Sequence, residues 1–259
     1  VPLLLQIILW YSILIQLPRV KQSLEFLDTF FISNRGIYSP RPVFENGFSY
    51  VFIAFILALV SSFFLRRWAK KRQDETGKQF PVATSAFGMI IFIPLLLFFI
   101  LGSPLSFDYP ALKGFNFKGG MVIRPEFIAM FLALTIYTAA FISETVRSGI
   151  LSVTKGQREA SASLGLKKSW IMRLIIIPQA LRVIVPPLTS QYLNLTKNSS
   201  LGIAVGYADL VHGFGGISLN QTGQAIECMV IVMATYLTIS LTISLFMNIY
   251  NRSIQFKEK

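Results

Sequence analysis

The sequence predicts an all-α integral membrane protein. Three observations carry that prediction. The 259 residues are 53% hydrophobic and only 14% charged, against about 25% charge in an ordinary soluble domain. Mean hydropathy is +0.59. The apolar residues arrive in long uncharged blocks, each near the roughly 17–25 residues that a spanning helix needs. This composition excludes a disordered chain, a disulfide scaffold and an ordinary soluble enzyme.

The elements follow in order. The chain opens inside an apolar run, Val1–Leu17, with no initiator Met. An amino-terminal piece is therefore expected to be missing, and the run reads as a whole helix or the end of one. No basic segment precedes it, as a signal peptide would require. Phe48–Leu65 is uncharged for 18 residues, Val82–Leu101 for 20, Phe127–Ser143 for 17 and Cys228–Asn251 for 24. Each is read as a crossing. Ile171–Ala208 is apolar but interrupted by Arg173, Pro178, Arg182, Pro186, Pro187 and Lys197. The expectation is a helix that kinks at the prolines, crosses as Val183–Thr196 and loses regularity near Asn198–Ser200. Irregular backbone at membrane depth survives only where protein or a water-filled cavity covers it, so this segment is expected to face a pathway.

Orientation follows from lysine and arginine. Arg66–Phe80, Arg147–Arg173 and the tail Arg252–Lys259 carry 15 basic residues in 50 positions. The opposite loops, Arg19–Gly47 and Gly102–Glu126, carry seven in 54. The rich set is assigned to the cytoplasm, together with the carboxyl terminus. About six crossings then make one membrane domain over residues 1–259. The net charge of +12 fits loops facing anionic membrane lipid rather than nucleic acid. No fixed-period repeat or flexible linker is present. The glycine-rich loop Ala111–Gly120 reads either as a segment packed on the outer face or as a plain turn.

Between the fourth crossing and the broken one lies GQREASASLGLKKSWIMRLIIIPQALR, Gly156–Arg182. Gln157–Leu164 is a short helix former. Gly165 stands where a helix end takes a left-handed residue, and Ser169 is a plausible cap for a second short helix. Two short helices joined at a glycine make an elbow. Ala160, Ser161 and Ala162 are small enough for another protein to approach closely. Leu164, Leu166, Trp170 and Ile171 could supply apolar contact, with Arg158 and Glu159 fixing register at the rim. An amphipathic helix lying on lipid has the same pattern.

The spacing separates these readings. Glu159-Ala160-Ser161, three residues, Gly165, nine residues, then Ile175-x-Ile177-Pro178 resembles the EAA loop of ABC importer permease subunits, E-A-A, three residues, G, nine residues, I-x-L-P. Ser161 replaces the second Ala and Ile177 the Leu. Pro2–Gln6 resembles the early signature TPLLVQ, and Ser143–Ile150 resembles AEIVRGGI. Pro186–Leu201 resembles PPLxNxxxxLLKxTSL. ALKGFNFKGG, YTAAFISE (Tyr137–Glu144), TSQYLNLTKNSS (Thr189–Ser200) and LNQTGQAIE (Leu219–Glu227) are closest to the general L-amino-acid permease subunits of the polar amino-acid branch.

That resemblance implies a multi-helix, type I ABC importer permease fold, amino-terminally truncated, in a bacterial inner membrane. Its coupling loop would span about 147–173. Glu159, Ala160, Ser161, Leu164 and Gly165 would meet a separate cytoplasmic ATPase. The other implied partners are a second permease subunit, identical or different, and a periplasmic amino-acid-binding protein.

The chain has no G-x-x-x-x-G-K-[ST] loop, so ATP is expected to be bound and hydrolysed by the partner. No cofactor or metal is expected on this chain. It is read as a non-catalytic subunit, since paired carboxylates or histidines at depth are missing. His212 is the only histidine and Cys228 the only cysteine; both are read as structural.

Three charged positions remain. Lys197 lies roughly 22 Å along a helix from Arg182. Lys197, Asn198, Ser199 and Ser200 could line a path for a zwitterionic amino acid beside a broken helix. Alternatively Lys197 snorkels, or pairs with Glu144 or Asp209. Glu144 and Arg147 are three apart and could form a local ion pair. Glu227 suits the amino end of the last helix. A secondary transporter driven by an ion gradient is the competing function; it would explain the broken helix but not the elbow.

Overall fold

The structure is a computed structural model that describes residues 1–77 and 79–255. Along the chain run α1 (Leu3–Ile15), β1 (Leu24–Phe26), β2 (Phe30–Ser33), β3 (Gly36–Ser39), β4 (Arg41–Phe44), α2 (Phe48–Thr76) and α3 (Val82–Ile100). Next come β5 (Leu105–Asp108), β6 (Ala111–Lys113), β7 (Asn116–Lys118), β8 (Met121–Ile123) and α4 (Pro125–Leu151). The last third holds α5 (Lys155–Ser163), α6 (Lys168–Ile171), α7 (Ile177–Asn198), α8 (Leu219–Thr222) and α9 (Ala225–Ile254). Five segments are long and apolar enough to cross a membrane: α2, α3, α4, the stretch Lys168–Val205 and α9. The 13-residue α1 is apolar but shorter. The lysines of the tail beyond residue 255, and Lys78, lie outside the described residues.

The chain divides into two compact units, one of Val1–Arg19, Ser33–Ile37 and Ile123–Lys259, the other of Val20–Ile32 and Tyr38–Val122. In the second, α2 and α3 form a helical hairpin. Its inner seam is small, with Ala58 and Ala69 on α2 and Ala86 on α3 all buried. Phe52, Phe63, Phe64, Phe87, Phe92 and Phe99 point outward, the arrangement expected where lipid is the solvent. Gly77 ends α2 at φ +68, its N–H donating to the Gln73 carbonyl at 2.9 Å.

The loops between the crossings form short antiparallel pairs. β1 pairs with β2 through Glu25↔Phe31. β4 pairs with β5 from Arg41↔Asp108 to Phe44↔Leu105. The glycine-rich loop is a hairpin, β6 with β7, registered Lys113↔Asn116 around Gly114 at φ +72. Its Phe117 ring lies 4.5 Å from Phe31 and 4.6 Å from Tyr38, so the loop is packed rather than a bare turn. Three-residue strands carry too little alternation to separate from loop by period alone.

In the first unit, Pro125 opens α4 and Glu126 occupies its first turn, which suits both the missing proline N–H and the helix dipole. α9, uncharged from Cys228 to Asn251, carries Thr235, Thr238 and Thr242, whose hydroxyls donate to carbonyls four residues back at 2.8 Å. Polar atoms facing lipid are thereby satisfied. One buried cluster joins Leu3 and Ile7 of α1 to Met130, Ala133 and Leu134 of α4 and to Val205. A second joins Val153, Ile171, Ile176, Ala180 and Ile184.

The broken crossing loses regularity at Ser199, in the expected Asn198–Ser200 stretch. Pro186 and Pro187 lie inside a continuous α7. The irregular turns sit at its two ends. Met172–Ile176 is a π turn in which the Ile177 N–H reaches back five residues to the Met172 carbonyl. Pro178 stands at the start of α7 and has no N–H to give, so the ladder is reset ahead of it. At the far end α7 tightens into a 3₁₀ stretch, Ser199–Val205.

Candidate functional site

Two sites emerge from the first unit: the elbow, and a cavity between α4 and α7.

The elbow is built from its glycine outward. α5 ends in a left-handed residue, Gly165 at φ +75. The Gly165 N–H donates to the Ala162 carbonyl at 2.9 Å, and the Leu166 N–H to the Ser161 carbonyl at 3.4 Å. These two bonds close the Schellman arrangement and satisfy carbonyls the helix end would leave open. α6 starts at Lys168 with Lys167 as its flanking residue and no side-chain cap. Ser169 is therefore inside α6 and does not cap it, contrary to the sequence expectation; the chain is already helical one residue earlier.

Burial sorts the predicted coupling residues. Glu159, Ala160, Ala162 and Ser163 are exposed. Leu164 is 80% exposed and Trp170 53%, large apolar side chains left uncovered at a helix end. Ser161 is buried, its hydroxyl donating to the Gln157 carbonyl. Ile171 is buried in the second cluster. Ser161 and Ile171 thus hold the elbow from within and offer nothing to an outside partner. Arg158 Nη2 ties α5 to the end of α4 by donating to the Ile150 carbonyl at 2.7 Å. Glu144 and Arg147 form a two-point ion pair, at 2.7 and 2.9 Å, in the same helix. Both side chains are well exposed, so the pair steadies α4 weakly.

The cavity has a volume of about 330 Å³. Tyr137, Thr138 and Phe141 of α4 line one wall, and Gln191, Asn194, Leu195 and Asn198 of α7 the other. Gln191, Asn194 and Asn198 are spaced i, i+3, i+7, one face of a helix. Each amide offers donors and acceptors together, which suits a solute carrying carboxylate and ammonium groups.

Of the four predicted path residues, only Asn198 lines this cavity. The Ser199 hydroxyl donates to the Thr196 carbonyl and the Ser200 hydroxyl to the Lys197 carbonyl, each at 2.7 Å. Lys197 is exposed and, among the described residues, forms no ion pair with Glu144 or Asp209. Asp209 instead accepts the His212 backbone N–H at 2.7 Å, at the start of the π stretch Val211–Ser218. Gln191 and Asn194 line the cavity without a charge to mark them; their signal in the sequence is three amides at helical spacing within an apolar helix.

Comparison with known proteins points the same way. The family described as "Binding-protein-dependent transport system inner membrane component" matches residues 51–256. The general L-amino acid transport system permease protein AapQ of Rhizobium johnstonii is 49% identical over 260 residues, covering 100% of this chain and 65% of that protein. The putative amino-acid ABC transporter permease protein YhdX of Escherichia coli is 52% identical over 263 residues, 100% of this chain and 66% of that protein. The glutamate/glutamine/aspartate/asparagine transport system permease protein BztB of Rhodobacter capsulatus is 46% identical over 254 residues, 92% of this chain and 59% of that protein. The chain thus spans less than two thirds of the length of each of these relatives.

Proposed function

Because the chain belongs to the family of binding-protein-dependent transport system inner membrane components, we propose that it is the permease subunit of an ATP-driven importer of polar L-amino acids. Both compact units belong to one permease domain. The observation that carries the reading is the elbow: a surface helix closed at Gly165, with Leu164 and Trp170 uncovered. A secondary transporter has no use for such a foot. The partners are a separate cytoplasmic ATPase, a second permease subunit and a periplasmic amino-acid-binding protein. The basic loops and the carboxyl terminus lie in the cytoplasm.

The mechanism is alternating access driven from outside the chain. The ATPase hydrolyses ATP, and its closure moves the elbow. The elbow is continuous through Ile171 and the π turn with α7, which carries the amide face of the cavity. Movement of α7 against α4 opens that face to one side of the membrane or the other. Gln191, Asn194 and Asn198 hold the solute during passage.

A cross-link tests the assignment. Cysteine placed at exposed Ala160 or Ser163 should join the ATPase in high yield, with little background because the native Cys228 is buried. Failure of both positions to reach an ATPase, in a complex that still transports, sinks the reading. Collapse of uptake on removing ATP, with ion gradients held, separates it from the secondary transporter.

The cavity is tested separately. Asn194→Leu keeps the branched shape and removes the polar head. Lost hydrogen bonds to a charged solute cost about 1.5–3 kcal/mol, so uptake of labelled amino acid should fall roughly tenfold or more while the assembled complex elutes unchanged. Lys197→Met should have a much smaller effect. The reverse ranking would move the path from the amide face to Lys197.

A further inference from the structure

We propose that the groove between the end of α2 and the start of α3 holds the headgroup of an anionic phospholipid. A cavity of about 320 Å³ lies there, bounded by Arg66, Lys70 and Gln73 on one helix and by Phe80, Val82 and Ala83 beyond the turn. Its depth follows from two independent rulers. The uncharged stretch of α2 ends at Leu65, 18 residues from Phe48, and the uncharged stretch of α3 begins at Val82. At about 1.5 Å per residue both stretches span close to the hydrocarbon thickness. The cavity therefore sits where hydrocarbon gives way to headgroups.

Its charges are available. The neighbouring cations are already engaged: Arg67 lies over the Phe63 ring at 4.7 Å, Arg72 over the Trp68 ring at 5.2 Å, and Lys71 pairs with Glu75 at 3.9 Å. Arg66 and Lys70 have no ion-pair partner among the described residues. They are four apart on one helix face, so both cations reach a single point. A guanidinium and an ammonium converging at headgroup depth suit a phosphodiester. Gln73 adds a donor for ester or glycerol oxygens. Phe80 is fixed edge-on against Trp68 at 5.6 Å, and with Val82 it gives the cavity an apolar side. That side matches the first methylenes of an acyl chain, which a soluble phosphate lacks.

The test uses the complete transport complex in phosphatidylcholine vesicles with a minor fraction of phosphatidylglycerol. Either lipid, at the same mole fraction, carries a photoreactive group near the glycerol end of its acyl chain. Adducts on the peptide covering residues 66–83 are counted by mass spectrometry. Phosphatidylglycerol should label that peptide about thirtyfold more than phosphatidylcholine, the factor expected for two basic residues near a lipid surface. Arg66→Gln should cut that preference to about fivefold. Lys70→Gln should do the same, which guards against a defect peculiar to the arginine variant. Arg67→Gln removes the same charge at the same depth but does not line the cavity, and should leave the preference intact. Parity in the unaltered protein overturns the proposal. So does an equal loss in Arg66→Gln and Arg67→Gln, which would mean diffuse surface attraction. Loss of the adduct when millimolar glycerol phosphate is present during photolysis would reassign the site to a soluble anion.

Discussion

Replacing Gly149 with alanine should destabilise the chain by about 1–3 kcal/mol, the range for overpacking a tight core. The direction is informative, because glycine to alanine inside a helix ordinarily gains about 1 kcal/mol. Here a Cβ would collide with Ile184 Cγ1 and stand 2.9 Å from Cδ1 and 3.2 Å from the Ala180 carbonyl. Ile184 is itself buried, and its Cγ1 is anchored one bond from Cβ. The side chain cannot swing clear, so α4 and α7 must separate. Close crossings built on small residues are how helices associate in lipid, where apolar contact alone gives no preference for protein over acyl chain. Heating detergent extracts and counting the folded fraction measures the effect. The matching change Ile184→Ala leaves a cavity and costs something alone. Combined with Gly149→Ala it should cost less than the sum, with a coupling of about 1 kcal/mol or more. Strict additivity would mean that the crossing is looser than the structure has it.

Gly165→Val should abolish most transport-coupled ATP hydrolysis while leaving the permease inserted and assembled. A β-branched residue at φ +75 is strained by roughly 1–2 kcal/mol or more, and relief of that strain breaks the Gly165 and Leu166 amide bonds that end α5. A steric cause is excluded by the surroundings, since a Cβ at Gly165 meets nothing within 4 Å. The effect is one of backbone angle alone. Gly165→Asn should therefore retain most of the coupling, because asparagine visits the left-handed region readily. Hydrolysis and uptake measured together in proteoliposomes distinguish the two. Loss in both variants would point to a requirement for glycine that conformation does not explain.

Much of this fold could be read before any coordinates. The spans of α2, α3, α4 and α9 follow from charge-free length, because a bilayer penalises charge so heavily that the sequence is written almost in one variable. The elbow was legible because glycine at a helix end states a dihedral angle. The coupling face was legible only in part. Small residues at Ala160, Ser161 and Ala162 look alike in sequence, and only packing decides that Ser161 turns inward. Ser169 failed for a related reason. Capping depends on where the helix begins, and α6 is already helical at Lys168. The amides that line the cavity were not legible from charge, because three neutral side chains in an apolar run carry no charge signal.

The root of the elbow has a mechanical meaning. Ile171 sits in the same buried cluster as Ala180 and Ile184, the residues that meet Gly149 across the α4–α7 crossing. Packed interiors compress very little. In the proposed importer, a push on the elbow would therefore reach the α4–α7 crossing through packed side chains rather than through a loose tether.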